Sequence, residues 1–196
     1  MTNYVEIRSI SFDTSFLLKE SYYVDIAIKK ISYDNIPCFV TSTVISELEQ
    51  LKIWGRISFK EWKKAFIKTK KVNAKIIDFK NRLLSDSFGK VCMNSMKEHH
   101  GVESKDIKND CNILITNLKK GVDFIISEDY HFTSKMTKEV TDDITHEACR
   151  EFSLMCDSTI FMIDAMVFLK AYDAGKIDID IIESNMKNIR KRGKTL

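Results

Sequence analysis

The chain has 196 residues, 44% hydrophobic and 30% charged, a composition that suits one folded domain and excludes a disordered or low-complexity chain. Six glycines and a single proline argue against a many-turned β-sandwich and favour a helix-rich protein. No apolar run approaches the ~18 residues of a membrane span, and the formal net charge is only +3, so we expect a soluble protein. The five cysteines form no C-x-x-C pair and no signal peptide is recognisable, so we expect reduced thiols and a cytoplasmic location.

The first part of the chain alternates strand and helix patterns. IRSISF, residues 7–12, predicts a short strand, and residues 16–32 carry apolar side chains at helical spacing. Residues 36–40 predict a second strand, and a helix follows over residues 44–51. This alternation predicts a parallel sheet flanked by helices.

The second part of the chain continues the same alternation. Its predicted helices cover residues 83–104, the stretch that contains Asp110, residues 147–155 and residues 165–171. Residues 122–126 and 159–163 predict two further strands, whereas residues 133–143 read as a polar segment. No repeat or linker divides the chain, so we expect one α/β domain over residues 1–196, with a helical extension after about residue 170 and a fraying tail at 187–194.

The segment of residues 52–82 is strongly basic. It holds eleven Lys or Arg against Glu61 and Asp78, a local net charge of +9, and apolar and aromatic residues interleave with them. This pattern predicts one or two basic amphipathic helices. Two interpretations stay open, a solvated helix face or a surface that follows a phosphate backbone. For the second interpretation we single out Lys52, Arg56, Lys60, Lys63 and Lys64.

Four acidic residues recur at comparable places in the alternation. Asp13 and Asp129 follow apolar strands, Glu47 lies early in a helix, and Asp110 borders the apolar stripe of its helix. Since open α/β sheets place their sites at the carboxyl ends of the strands, we expect these side chains to lie together. Each acid alone could be a helix cap or a turn residue, but the set favours a site for Mg²⁺ or Mn²⁺, which prefer oxygen ligands.

The order of these motifs resembles that of PIN-domain ribonucleases. ISFDTSFLL, with Asp13, is similar to the family's first motif, and TSTVISELEQL, with Glu47, is similar to the second. DCNILITNL, with Asp110, resembles the third, and FIISEDYHF, with Ser127 and Asp129, resembles the fourth. The resemblance covers residues 5–132, and residues 159–169 match the closing strand and helix.

Two positions depart from the family's pattern. Asn117 stands where the third motif has a small residue, and His131 stands where a further Asp is frequent. The second departure puts a fifth acidic ligand in doubt.

The resemblance implies a three-layer α/β/α fold with a central, mostly parallel sheet and a metal-dependent endoribonuclease activity. It implies that four carboxylates hold one or two Mg²⁺ or Mn²⁺ ions: Asp13, Glu47, Asp110 and Asp129. Thr14 and Ser127 would orient carboxylates or a phosphate, and a metal-bound water would attack phosphorus in line. The implied substrate is single-stranded RNA or a structured RNA at an unpaired site, and a homodimer is common in the family.

Three alternatives compete with this hypothesis. The chain could be a catalytically silent RNA-binding or scaffolding protein, or the toxin of a toxin–antitoxin pair with an antitoxin as its partner. A doubly wound phosphatase also carries an Asp after its first strand. That class expects a second Asp two positions later, and Ser15 occupies this position.

Overall fold

The computed structural model describes residues 3–78, 82–100, 104–152 and 159–186. Its helices are α1 (Thr14–Leu18), α2 (Tyr22–Tyr33), α3 (Ser42–Ile53), α4 (Phe59–Lys71), α5 (Arg82–His100), α6 (Ser104–Lys120), α7 (Lys135–Phe152), α8 (Ala165–Ala171) and α9 (Ile179–Asn185). Its strands are β1 (Tyr4–Glu6), β2 (Ile10–Phe12), β3 (Cys38–Thr41), β4 (Lys75–Ile77), β5 (Phe124–Ile126), β6 (Phe161–Ile163), β7 (Tyr172–Asp173) and β8 (Lys176–Asp178).

The central sheet has five parallel strands in the order β4-β3-β2-β5-β6, with helices on its faces. This arrangement confirms the predicted three-layer α/β/α architecture. A second sheet, in the order β1-β8-β7, is antiparallel. The central strands β2 and β5 are buried throughout, as a parallel sheet covered by helices requires.

The strand order reverses beside β2. The chain proceeds from β2 to β3 and β4 on one side, and it then returns to the other side of β2 for β5 and β6. Ile10 of β2 is therefore aligned with Cys38 of β3 and with Phe124 of β5. Helices on the two sides of such a reversal diverge, and this opens a crevice at the carboxyl ends of β2 and β5.

Residues 16–32 form two helices, where the sequence predicts one. Lys19 has an extended backbone conformation and ends α1, and the Ser21 hydroxyl accepts a hydrogen bond from the Val24 N–H to begin α2. A buried cation also terminates α1, because Lys68 of α4 donates to the carbonyl of Leu17 at 2.8 Å. This capping comes from a residue about fifty positions away, which the local pattern does not reveal.

Other element predictions were wrong in detail. The basic segment contains the edge strand β4 as well as α4, and residues 135–152 form α7 where the sequence predicts a polar segment and a shorter helix. The predicted helical extension begins as the antiparallel pair β7–β8, and only then α9 follows. β4 is short and mostly exposed, so it lacks the apolar run that marks a buried strand. The predicted fraying tail lies outside the described residues.

The expectation of reduced thiols was also wrong. Cys92 of α5 and Cys111 of α6 form a disulfide with their Cα atoms 5.7 Å apart, whereas Cys38 is a buried free thiol. Burial raises the pKa of Cys38 to about 12. Cys92 and Cys111 lie 19 residues apart on neighbouring helices, a spacing without a sequence signature, and the packing of α5 against α6 brings them together. The bond anchors the helix that carries Asp110.

Asp123 joins the amino ends of β2 and β5. One carboxylate oxygen accepts the backbone N–H groups of Arg8 at 2.8 Å and Ser9 at 3.1 Å. The other oxygen accepts the Arg8 guanidinium, with contacts of 3.1 and 2.5 Å. Asp123 is buried, but the Arg8 side chain is 77% exposed, so the backbone bonds contribute more to stability than the ion pair does.

We therefore predict that Asp123→Ala lowers the free energy of unfolding far more than Arg8→Ala does. The first change leaves the N–H of buried Ser9 without its acceptor, a cost of about 1–3 kcal/mol. The second removes an exposed ion pair, worth about 0–1 kcal/mol. Urea unfolding of the two variants measures both quantities, and equal losses would contradict this account.

Candidate active site at the carboxyl edge of the sheet

Asp13 lies at the carboxyl end of β2 and is almost fully buried, with 8% of its surface exposed. It begins α1 as its N-cap, and its carboxylate accepts the N–H of Ser15 at 3.3 Å. The same oxygen accepts the hydroxyls of Ser15 at 2.7 Å and Ser127 at 2.8 Å. The cap interpretation of Asp13 is therefore correct, and the hydroxyl contacts also hold its carboxylate at the edge of the sheet.

Ser15 is the residue of this site that the sequence analysis missed. Its hydroxyl oxygen accepts the N–H groups of Glu128 at 2.9 Å and Asp129 at 3.1 Å, across the crevice from α1. The Ser127 hydroxyl accepts the Asp129 N–H as well, at 3.1 Å. Ser15 thus ties the start of α1 to the turn after β5. The available signal was a hydroxyl two positions after a helix-capping Asp.

Glu47 faces the start of α1 from the second turn of α3. The Thr14 hydroxyl donates to Oε2 of Glu47 at 2.5 Å, so the predicted supporting role of Thr14 has a specific geometry. Burial raises the pKa of Glu47, and the nearby carboxylates of Asp13 and Asp129 raise it further, while the Thr14 bond opposes the shift. Thr41 caps α3 at the end of β3, and this cap sets where Glu47 points.

Asp110 completes the group from α6. Burial raises the pKa of Asp110 to about 8, with further increases from the charges of Asp13, Asp129 and Glu47. The carboxylates of Asp13, Asp129 and Glu47 therefore lie near enough to Asp110 to act on its charge. Cys111 follows directly and holds this part of α6 against α5 through its disulfide.

Asp129 and Glu128 point to different parts of the structure. Oδ1 of Asp129 accepts the backbone N–H groups of His131 at 2.7 Å and Phe132 at 3.3 Å, which shapes the turn after β5. Asp129 is exposed at the edge of the sheet, where it influences Glu47 and Asp110. Oε1 of Glu128 instead accepts the N–H of Ala165 at the start of α8, at 2.9 Å.

The donor set suits a hard divalent cation in its chemistry, because it consists of carboxylate oxygens, and the charges of Asp13 and Asp129 raise the pKa of Glu47 and of Asp110. A cation or a proton relieves such crowding of like charges. Among the residues that the structure describes, however, no group of three or more His, Cys, Asp or Glu side chains is arranged to hold a metal ion. The acids are neighbours, but their oxygens do not converge on one point.

The five cations singled out in the basic segment have different surroundings. Lys52 pairs with Glu49 at 2.9 Å and lies 4.1 Å from the centre of the Trp62 ring, and Lys64 pairs with Glu20 at 2.6 Å. The remaining three, Arg56, Lys60 and Lys63, are exposed. These three cations are therefore the most accessible of the set to a phosphate backbone.

Comparison with protein-family models, curated proteins and solved structures found no match to this chain. The resemblance to PIN-domain ribonucleases therefore rests on the sequence motifs alone.

The raised pKa of Asp110 predicts how stability varies with pH in metal-free buffer. The folded protein binds a proton at Asp110 with a pKa of about 8, against an ordinary value of 3.8. Between these values the folded state holds more protons, so raising the pH from about 4 to about 8 lowers the free energy of unfolding. Asp110→Asn removes this contribution, and the variant should gain stability relative to wild type as the pH rises.

Urea unfolding of both proteins at pH 5, 7 and 9 with EDTA measures this difference. Asp129→Asn is a useful companion, because it removes one charge that raises the pKa of Asp110 and should weaken the pH dependence without abolishing it. If the free energy of unfolding changes with pH equally in wild type and in Asp110→Asn, Asp110 does not titrate as described.

Proposed function

We propose that this protein is a metal-dependent endoribonuclease that hydrolyses RNA phosphodiester bonds. The observation that supports the proposal is that the charges of Asp13, Asp129 and Glu47 reach Asp110 and raise its pKa, at the crevice where the strand order reverses. Burial of Glu47 and Asp110 beside other negative charges costs stability unless these carboxyls serve a ligand, since it disfavours their ionised forms.

The four carboxylates would hold one or two Mg²⁺ or Mn²⁺ ions, directly or through water. When bound, such an ion activates water as a nucleophile and neutralises charge on a phosphate. Asp110 holds a proton at neutral pH, and its carboxyl would release this proton as the cation binds. Metal affinity should therefore increase with pH.

The hydroxyl groups around the acids would act as positioning groups. Thr14 donates to Glu47, while Ser15 and Ser127 donate to Asp13, so each hydroxyl restricts the rotation of a carboxylate. Partners of this kind orient ligands and tune the affinity of a metal site. The exposed cations of the basic segment would offset the negative potential of the cluster and attract the RNA backbone.

The alternative roles assume the same fold but a different biological function. A catalytically silent scaffold would bind RNA without cutting it, and a toxin would cut RNA until an antitoxin partner blocked the site. A homodimer fits either role. None of the helices in the described part of the chain has the length and apolar character needed to cross a bilayer. The proposed setting for all these roles is the cytoplasm.

We predict that purified protein cuts a pooled, unstructured RNA with Mn²⁺ or Mg²⁺ and not with EDTA. Glu47→Gln should reduce the cleavage rate on the order of 100-fold or more, because it removes a charge from the cluster while keeping the shape of the side chain. Glu49→Gln is the matched control on the same helix, since Glu49 pairs with Lys52 on α3. It should leave the rate within about twofold of wild type.

Equal loss in the two variants would point to a general effect on α3. RNA that stays intact with every metal but still binds the wild-type protein would replace the nuclease proposal with the scaffold alternative. Asp129→Asn gives an independent check, because Asp129 reaches the cluster from the turn after β5 and not from a helix.

A second prediction concerns Ser15 as a positioning residue. Ser15→Ala should raise the Mn²⁺ concentration needed for half-maximal cleavage by about 10- to 100-fold, because the carboxylate of Asp13 loses one of its two hydroxyl donors. Ser15→Thr keeps a hydroxyl and should recover most of the affinity. An unchanged metal dependence in Ser15→Ala, with a reduced rate at all metal concentrations, would contradict the positioning role.

A further inference from the structure

The turn between α3 and α4 is held by local caps at both of its ends. After α3, the N–H of Gly55 donates to the carbonyl of Lys52 at 3.0 Å and that of Arg56 donates to Leu51 at 2.9 Å, with Gly55 at φ +66. This Schellman arrangement requires a left-handed residue, for which glycine is suited. Ser58 and Glu61 then form a capping box at the start of α4. The segment of residues 53–63, here named the α3–α4 tip, therefore has a defined shape.

The tip exposes large aromatic and aliphatic surfaces. Trp54 is 63% exposed and Phe59 is 64% exposed, and Ile53 beside them is 74% exposed. The Phe59 ring stacks on Trp62, with the ring centres 5.5 Å apart and the planes inclined by 23°. Phe59 thus presents one supported and one open face. Exposed apolar groups that adjoin one another commonly mark a binding surface.

The tip that carries these rings also carries cations. The Arg56 guanidinium lies 5.5 Å from the centre of the Trp54 ring, and Lys60 and Lys63 are exposed on the first turns of α4. Glu61 is the one acid of the tip, and its carboxylate is bound to Ser58 in the capping box. The surface therefore combines positive charge with flat rings.

The tip also continues from the candidate active site. Trp54 follows Glu47 by seven residues along α3, an axial distance of about 10 Å. Residues seven apart lie on the same face of a helix, so the tip begins beyond the end of the α3 face that carries Glu47.

We propose that the α3–α4 tip binds the unpaired bases of single-stranded RNA, with Trp54 and Phe59 as stacking surfaces and Arg56, Lys60 and Lys63 as phosphate contacts. Proteins that hold single strands combine these two elements, and base stacking tolerates any sequence. Bases within a duplex are stacked on one another and do not offer their faces to the rings. The inference rests on the proposed function for the choice of RNA, and it assigns to that function the surface that holds the unpaired strand.

The first test is the affinity for a fluorescently labelled 12-nucleotide oligo(U), measured by anisotropy in EDTA so that no cleavage occurs. Trp54→Ala and Phe59→Ala should each weaken binding by about tenfold. Tyr33→Ala is the matched control, because Tyr33 is an 85% exposed aromatic next to Ser32, which contacts Lys71 at the opposite end of α4. This control variant should bind as wild type does.

The second test uses the fluorescence of Trp54 itself. The chain has two tryptophans, so Trp62→Phe leaves Trp54 as the sole indole emitter. Oligo(U) should quench this emission, and an RNA duplex of the same length should quench it much less. Equal quenching by the duplex, or none by either RNA, would overturn the proposal.

Two further results would assign the tip to another ligand. If Trp54→Ala weakens binding to anionic phospholipid vesicles but leaves the RNA affinity unchanged, the tip binds a lipid surface. If Trp54→Ala weakens dimerisation in sedimentation equilibrium but leaves the RNA affinity unchanged, the tip is an interface between two copies of the chain. Either result overturns the proposal.

The binding and cleavage results separate the two proposals. If Glu47→Gln abolishes cleavage but Trp54→Ala and Phe59→Ala bind oligo(U) as tightly as wild type, the role of the tip is overturned and the nuclease proposal stands. If RNA binding depends on the two rings but no metal supports cleavage, the binding role of the tip is supported and the nuclease proposal is overturned.

Discussion

Mutual repulsion among carboxylates at one edge of the sheet is the constraint on which the rest of the site depends. Burial and neighbouring negative charge raise the pKa of Glu47 and of Asp110, so the folded chain carries this edge at a cost to its stability. Hydroxyl donors offset part of that cost at Asp13 and Glu47, and a retained proton offsets it at Asp110. In the proposed nuclease, a divalent cation would replace this proton and balance the charge.

The two ends of the parallel sheet serve different purposes. At the amino end, Asp123 gathers the backbone N–H groups of Arg8 and Ser9 and links β2 to β5. At the carboxyl end, the same two strands lead to Asp13 and to the turn with Asp129, where Ser15 connects them through hydrogen bonds. One end therefore stabilises the alignment of the strands, and the other uses this alignment to hold groups that would repel one another if unsupported.

Helices α3 and α6 bring the remaining acids to this edge, and each is restrained in its own way. Thr41 caps the start of α3, and a Schellman turn at Gly55 closes its end, so one helix carries both Glu47 and the exposed ring of Trp54. The disulfide between Cys92 and Cys111 fastens α6 to α5 directly after Asp110. Rigid support of this kind favours defined placement of functional groups, because the positions of the side chains follow from the backbone.

The sequence by itself determined the alternation of strands and helices, the parallel three-layer architecture and the order of the four acids, since apolar periodicity and strand ends are local properties. It also carried the caps that shape the α3–α4 tip, because Gly55, Ser58 and Glu61 act on neighbours within a few residues. Only the tertiary structure decided that Ser15 bridges to β5, that Glu128 turns to α8 while Asp129 stays with the cluster, and that Cys92 meets Cys111. These contacts join segments whose separation along the chain bears no relation to their separation in space, so no local pattern encodes them.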